Sequence, residues 1–81
     1  MAISIISNDE SINYSVACKS TDIFDKIKKE LFVEYPYYKD TNTYFTLNGN
    51  IIDTFKSMQE NNIKNHDTII LNCINNNLID K

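Results

Sequence analysis

Tyr44-Phe45-Thr46-Leu47-Asn48-Gly49-Asn50-Ile51-Ile52 is the stretch that decides the fold. Tyr44 to Leu47 alternates as a half-buried strand does, and Asn48-Gly49-Asn50 holds the chain's single glycine in the kind of sequence that makes a tight turn with positive φ. Ile51-Ile52 is then a short apolar step. Further on, Thr54 to Gln59 reads as one helical turn, Asn61 to Asp67 as a polar connection, and Thr68-Ile69-Ile70-Leu71-Asn72-Cys73 as a strongly β-prone final strand.

Upstream, Ser20-Thr21-Asp22 supplies residue types that cap helices. Behind them, Phe24, Ile27 and Leu31 recur at the three- and four-residue steps of one apolar stripe, with Lys26 and Lys29 pointing away from it. Pro36 ends that helix by disfavouring helical geometry at Tyr35, and Tyr37 to Asn42 carries the chain to the next strand. At the N-terminal end, Ile3 to Ile6 and Ile12 to Val16 alternate around the polar stretch Ser7 to Ser11, which predicts an antiparallel hairpin. Its inward face is expected to carry Ile3, Ile5, Ile12, Tyr14 and Val16. One helix must then cover one face of one small mixed sheet, an α+β domain over residues 1–74 with 75–81 as a tail or linker stub.

Composition bounds the function. Eighty-one residues support one core and no second domain, and 42% hydrophobic with 23% charged residues is too apolar for a disordered tail. All eight basic residues are lysines and the formal charge is -3, so the bidentate guanidinium contacts of nucleic-acid recognition are absent and no nucleic-acid partner is expected. Cys18 and Cys73 have no Cys-x-x-Cys spacing and, with one histidine, fall short of a zinc set; they read as buried or half-buried thiols, and no metal or other cofactor is expected. No apolar run has the length of a signal peptide core or a membrane span, which predicts a soluble protein of the cytoplasm or nucleus. No enzyme is expected: His66 stands in a loop beside Asp67, no nucleophile has an activating context, and Asp9-Glu10 and Asp25-Glu30 read as solvated charge. No small-molecule substrate is expected either.

The run Phe45 to Asn50, then Ile52, then Met58 to Ile63, then Asp67 to Leu71, together with the helix after Thr21-Asp22, resembles the ubiquitin-like domains over about Ile3 to Cys73. The resemblance implies a β-grasp fold, a four- to five-stranded mixed sheet in which the first, final and third strands are neighbours. The family's conjugated modifiers close on two glycines, whereas this chain has Ile74-Asn75-Asn76-Asn77 there and no Gly-Gly, which disfavours conjugation and leaves a noncovalent domain. Where ubiquitin presents its apolar patch, the matching positions are Asn8, Thr46 and Asn72, so ubiquitin's own receptors are expected to bind poorly.

Ile6, Tyr44, Ile70 and Ile74 share the outward parity of Thr46 and Asn72, which predicts an apolar group around a polar centre and a protein-binding face at these six residues. Tyr35, Tyr37 and Tyr38, with Phe32 upstream, form a second candidate surface or else close the end of the core. The expected role is a monomeric protein-interaction module, either whole or the N-terminal domain of a larger protein. A structural domain packed inside an assembly is the alternative. A Ras-binding type is disfavoured because the second strand has only Lys19 near its end, and a segregase-docking type because Asn48-Gly49-Asn50 replaces the Phe-Pro-Arg turn.

Overall fold

In a computed structural model, the fold is described for residues 1–36 and 42–74, Ile74 by its backbone alone. The elements run β1 (Ala2–Ser7), β2 (Asn13–Ala17), α1 (Phe24–Glu34), β3 (Asn42–Leu47), β4 (Asn50–Ile51), a 3-10 turn (Gln59–Asn61) and β5 (Thr68–Ile74). The strands form one mixed sheet in the order β2-β1-β5-β3-β4. β1 and β2 are antiparallel, with Ile3 opposite Val16 and Ile5 opposite Tyr14. β1 and β5 are parallel, and β3 is antiparallel to both β5 and β4.

The inward side of the hairpin is as the alternation predicts: Ile3, Ile5 and Ile12 are buried, and Tyr14 and Val16 pack half-buried against the same core. Phe24, Ile27 and Leu31 form the helix stripe and are all buried. The Phe24 and Phe45 rings meet edge-on at 4.9 Å, which fastens the helix to β3. Ile52, Met58, Ile63, Ile69 and Leu71 complete the core. Asn48 (φ 53) and Gly49 (φ 85) both take positive φ, the geometry of a two-residue turn that matches the twist of the β3 and β4 strands.

Three expectations need correction. The helix is not capped by Ser20, Thr21 or Asp22: its N-cap is Ile23, in extended geometry and with no side-chain cap. The free N–H groups of Phe24 and Asp25 instead donate to the carbonyls of Lys56 (3.0 Å) and Thr54 (2.8 Å), so another loop closes the helix end. The Asp22 carboxylate turns back to the Lys19 N–H at 2.9 Å, a bond that lowers its pKa. Second, the helical turn expected at Thr54 to Gln59 lies at Gln59–Asn61, because Ser57 is used in an antiparallel bridge to Ile23. Third, Cys18 is buried as expected but Cys73 is exposed. The crossing at residues 37–41 and the tail 75–81 lie outside the described residues.

The loop that closes the helix is itself held by one side chain. Asn61 accepts from the Asp53 N–H (2.9 Å) and donates to the carbonyls of Asp53 (2.9 Å), Ser57 (3.0 Å) and Lys56 (3.4 Å). Beside it, the Ser57 N–H donates to Glu60 Oε1 (2.8 Å) and the Glu60 N–H to Ser57 Oγ (3.1 Å), a reciprocal capping-box pair that lowers the Glu60 pKa. At the other end of the sheet the β1–β2 turn is closed by Asp9 Oδ1, which accepts from Ser7 Oγ and Ser11 Oγ (both 2.7 Å) and from the Ser11 N–H (3.0 Å). Those bonds hold the Asp9 carboxyl down to a pKa of about 2.

Candidate functional site

Because the helix covers one side of the sheet, the outward positions of the strands make a face of their own. Register places its residues. In the parallel ladder Ile6 pairs with Ile70; across the antiparallel ladder Ile70 pairs with Thr46, and Thr46 with Ile51. Directly paired residues point to the same side, so Ile6, Ile70, Thr46 and Ile51 form one row across four strands. The next row pairs Tyr44 with Asn72.

The predicted group is thus brought together. Ile6, Thr46, Ile70 and Asn72 are half-buried and Tyr44 is exposed at 38%. Asn72 Nδ2 donates to Thr46 Oγ1 and to the Ile70 carbonyl, both at 3.3 Å, so the polar centre is bonded within the protein. A partner covering it need not supply every hydrogen bond. Ile74 pairs by its backbone with Asn42, and its side chain lies outside the described residues. Asn8 is exposed in the turn just beyond β1, where its N–H donates to the Leu71 carbonyl at 2.9 Å.

Ile51 is the residue that sequence reasoning missed. It is exposed at 72% and extends the apolar row to the edge strand. A two-residue Asn48-Gly49 turn pairs Leu47 with Asn50 and therefore Thr46 with Ile51, so the turn sequence held the signal.

The second candidate surface divides. Tyr35 is half-buried and meets Tyr14 edge-on at 6.3 Å, closing the core end; burial and the nearby Glu30 and Glu34 raise the Tyr14 pKa. Lys29, Phe32, Val33 and Pro36 line a shallow groove of about 430 Å³ beside it, with Val33 exposed at 78%. Tyr37 and Tyr38 lie outside the described residues. Among the described residues no group of three His, Cys, Asp or Glu side chains could hold a metal, and no helix is long and apolar enough to cross a membrane. His66 is exposed at φ 70, and its N–H donates to the Ala2 carbonyl at 2.7 Å, a bond that ties the loop before β5 to the start of β1. No protein-family model matches the chain, and no curated protein matches it.

Proposed function

We propose that the chain is a ubiquitin-like β-grasp domain acting as a noncovalent protein-binding module through the outer face of its sheet, in the cytoplasm or nucleus. The β-grasp reading is supported by a sheet whose first, final and third strands are neighbours, with α1 between the second and third strands. The observation that carries the binding role is the Ile6–Ile70–Thr46–Ile51 row flanked by Tyr44, an apolar band around the bonded Thr46–Asn72 pair. Apolar groups that meet as a patch mark interfaces, whereas scattered ones need no explanation. Noncovalent use is favoured because Ile74-Asn75-Asn76-Asn77 stands where the conjugated modifiers of that family carry their glycines.

Native capture from the source cells tests the role, with Ile70→Lys against the wild type and Phe55→Lys, at a loop site exposed at 80%, as control. Ile70→Lys is expected to weaken capture at least about tenfold, or about 1.4 kcal/mol, because it sets an ammonium in the middle of the band. Phe55→Lys should capture normally. Capture unaffected by Ile70→Lys in a folded variant overturns the reading.

A further inference from the structure

A sheet with one solvated face normally shows polar and charged side chains to water. Here, among the described residues, the outward side of all five strands holds no charged side chain: it consists of serine, threonine, asparagine, alanine and isoleucine, with Tyr44. The chain is not short of charge, with eight lysines and eleven acidic residues. Those among the described residues are placed elsewhere, as in the Lys26–Asp22 pair at the start of α1, the Lys29–Asp25 pair along it, and the Asp9 and Asp53 turns.

A neutral face is poorly suited to a partner chosen by charge. A lysine or carboxylate pressed against it would lose its hydration and meet no counter-charge. A second copy of the chain suits it better. A two-fold axis sets the residues close to it against their own images, so a charge there would meet a like charge, and this face has none to repel. Hydroxyl and amide side chains both donate and accept, so serine, threonine and asparagine can bond to their images where a carboxylate could not.

We propose that this face is an isologous interface and that the chain pairs with a second copy of itself, sheet against sheet, with the central strand β5 near the axis. The proposal rests on the protein-binding reading above and names the partner. Strands of six, five, six, two and seven residues, at about 3.3 Å per residue and about 4.8 Å apart, give a face of about 400 Å², so two of them cover roughly 800 Å². That is below the roughly 1,000 Å² of a standard specific interface, so the dimer is a weak one, with a dissociation constant on the order of 100 µM.

Sedimentation equilibrium of the full chain from about 10 µM to about 1 mM tests it. The expected result is a reversible rise from the 9.4 kDa monomer toward twice that mass. Association should not weaken between about 0.05 and about 0.5 M salt, because no charge pair across the interface is there to be screened. Ile70→Lys should weaken it at least tenfold. Ile51→Lys, at a site exposed at 72%, keeps the fold if Ile70→Lys does not and should weaken it likewise, while Phe55→Lys, at a loop site exposed at 80%, should have no effect.

A mass of 9.4 kDa throughout, with capture still lost in Ile70→Lys, overturns self-association and leaves a binding face with a different partner. A dimer untouched by both lysine variants overturns the assignment of this face. Neither self-association nor Ile70-dependent capture overturns both readings together.

Discussion

Asn61→Ala is expected to cost about 2 kcal/mol of stability, a large loss for one polar side chain of a small domain. Its amide makes four contacts with the 53–57 loop, but two N–H protons serve three carbonyls, and the one to Lys56 is long at 3.4 Å, so three effective bonds remain. At about 1 kcal/mol net for each, reduced because water can replace the exposed ones, the sum is about 2 kcal/mol. For a domain of this size that lowers Tm by roughly 10–15 °C. The loss should also show at a distance, because the loop carries the Thr54 and Lys56 carbonyls that close the helix. Hydrogen exchange at the Phe24 and Asp25 amides should therefore accelerate more than at the Ile5 or Ile69 amides of the sheet. Asn61→Asp keeps an acceptor for Asp53 but sets a carboxylate against three carbonyls, and it should do no better than alanine at neutral pH. A Tm within about 2 °C of wild type, or unchanged exchange at Phe24 and Asp25, refutes the reasoning.

Other outcomes follow from local geometry. The Asp9 pKa lies at about 2, below its ordinary 3.8, so its bonds to Ser7 and Ser11 contribute above the ordinary value and are lost as pH falls through about 2. An acid titration followed by circular dichroism should show a shallower fall between about pH 4 and pH 2 in Asp9→Asn, starting from a lower stability at neutral pH. Gly49→Ala should cost about 1–2 kcal/mol in urea unfolding, all of it backbone strain at φ 85, because an added Cβ meets nothing within 4 Å. An alkylating agent at neutral pH should label exposed Cys73 well before Cys18, whose thiol is pushed up by burial; peptide mass mapping over time reads the order.

What was legible in the sequence was what depends on period and parity. The alternation of Ile3-Ile5 and Tyr44-Phe45-Thr46-Leu47 set which side chains face in, and through that the outward set of Ile6, Tyr44, Thr46, Ile70 and Asn72. What was not legible depends on contacts between distant segments. Ser20-Thr21-Asp22 has good capping chemistry, yet the helix is closed by carbonyls of Thr54 and Lys56, which no local pattern near residue 20 can report. Ile51 and the Ser57–Glu60 pair lie between these cases. Both follow from readable local signals, a two-residue turn and the Ser-x-x-Glu spacing, but the short apolar step and the missing apolar run after Glu60 leave those signals weak.

The parallel pairing of Ser4 with Thr68 and Ile6 with Ile70 governs how the domain can be made. β5 lies between β1 and β3 and is the last of the described strands to be synthesised, so the earlier strands wait without their central neighbour until it emerges. Closing a loop of some 60 residues costs roughly 2 kcal/mol more than closing a short hairpin, and no contact of β5 offsets that until the whole segment is free of the ribosome. Until then, the apolar sides of the β1–β2 hairpin and of α1 have no complete sheet to share. Chaperones would meet the nascent chain in this state, and a chain stalled before Thr68 should be degraded rather than accumulate as a smaller stable domain.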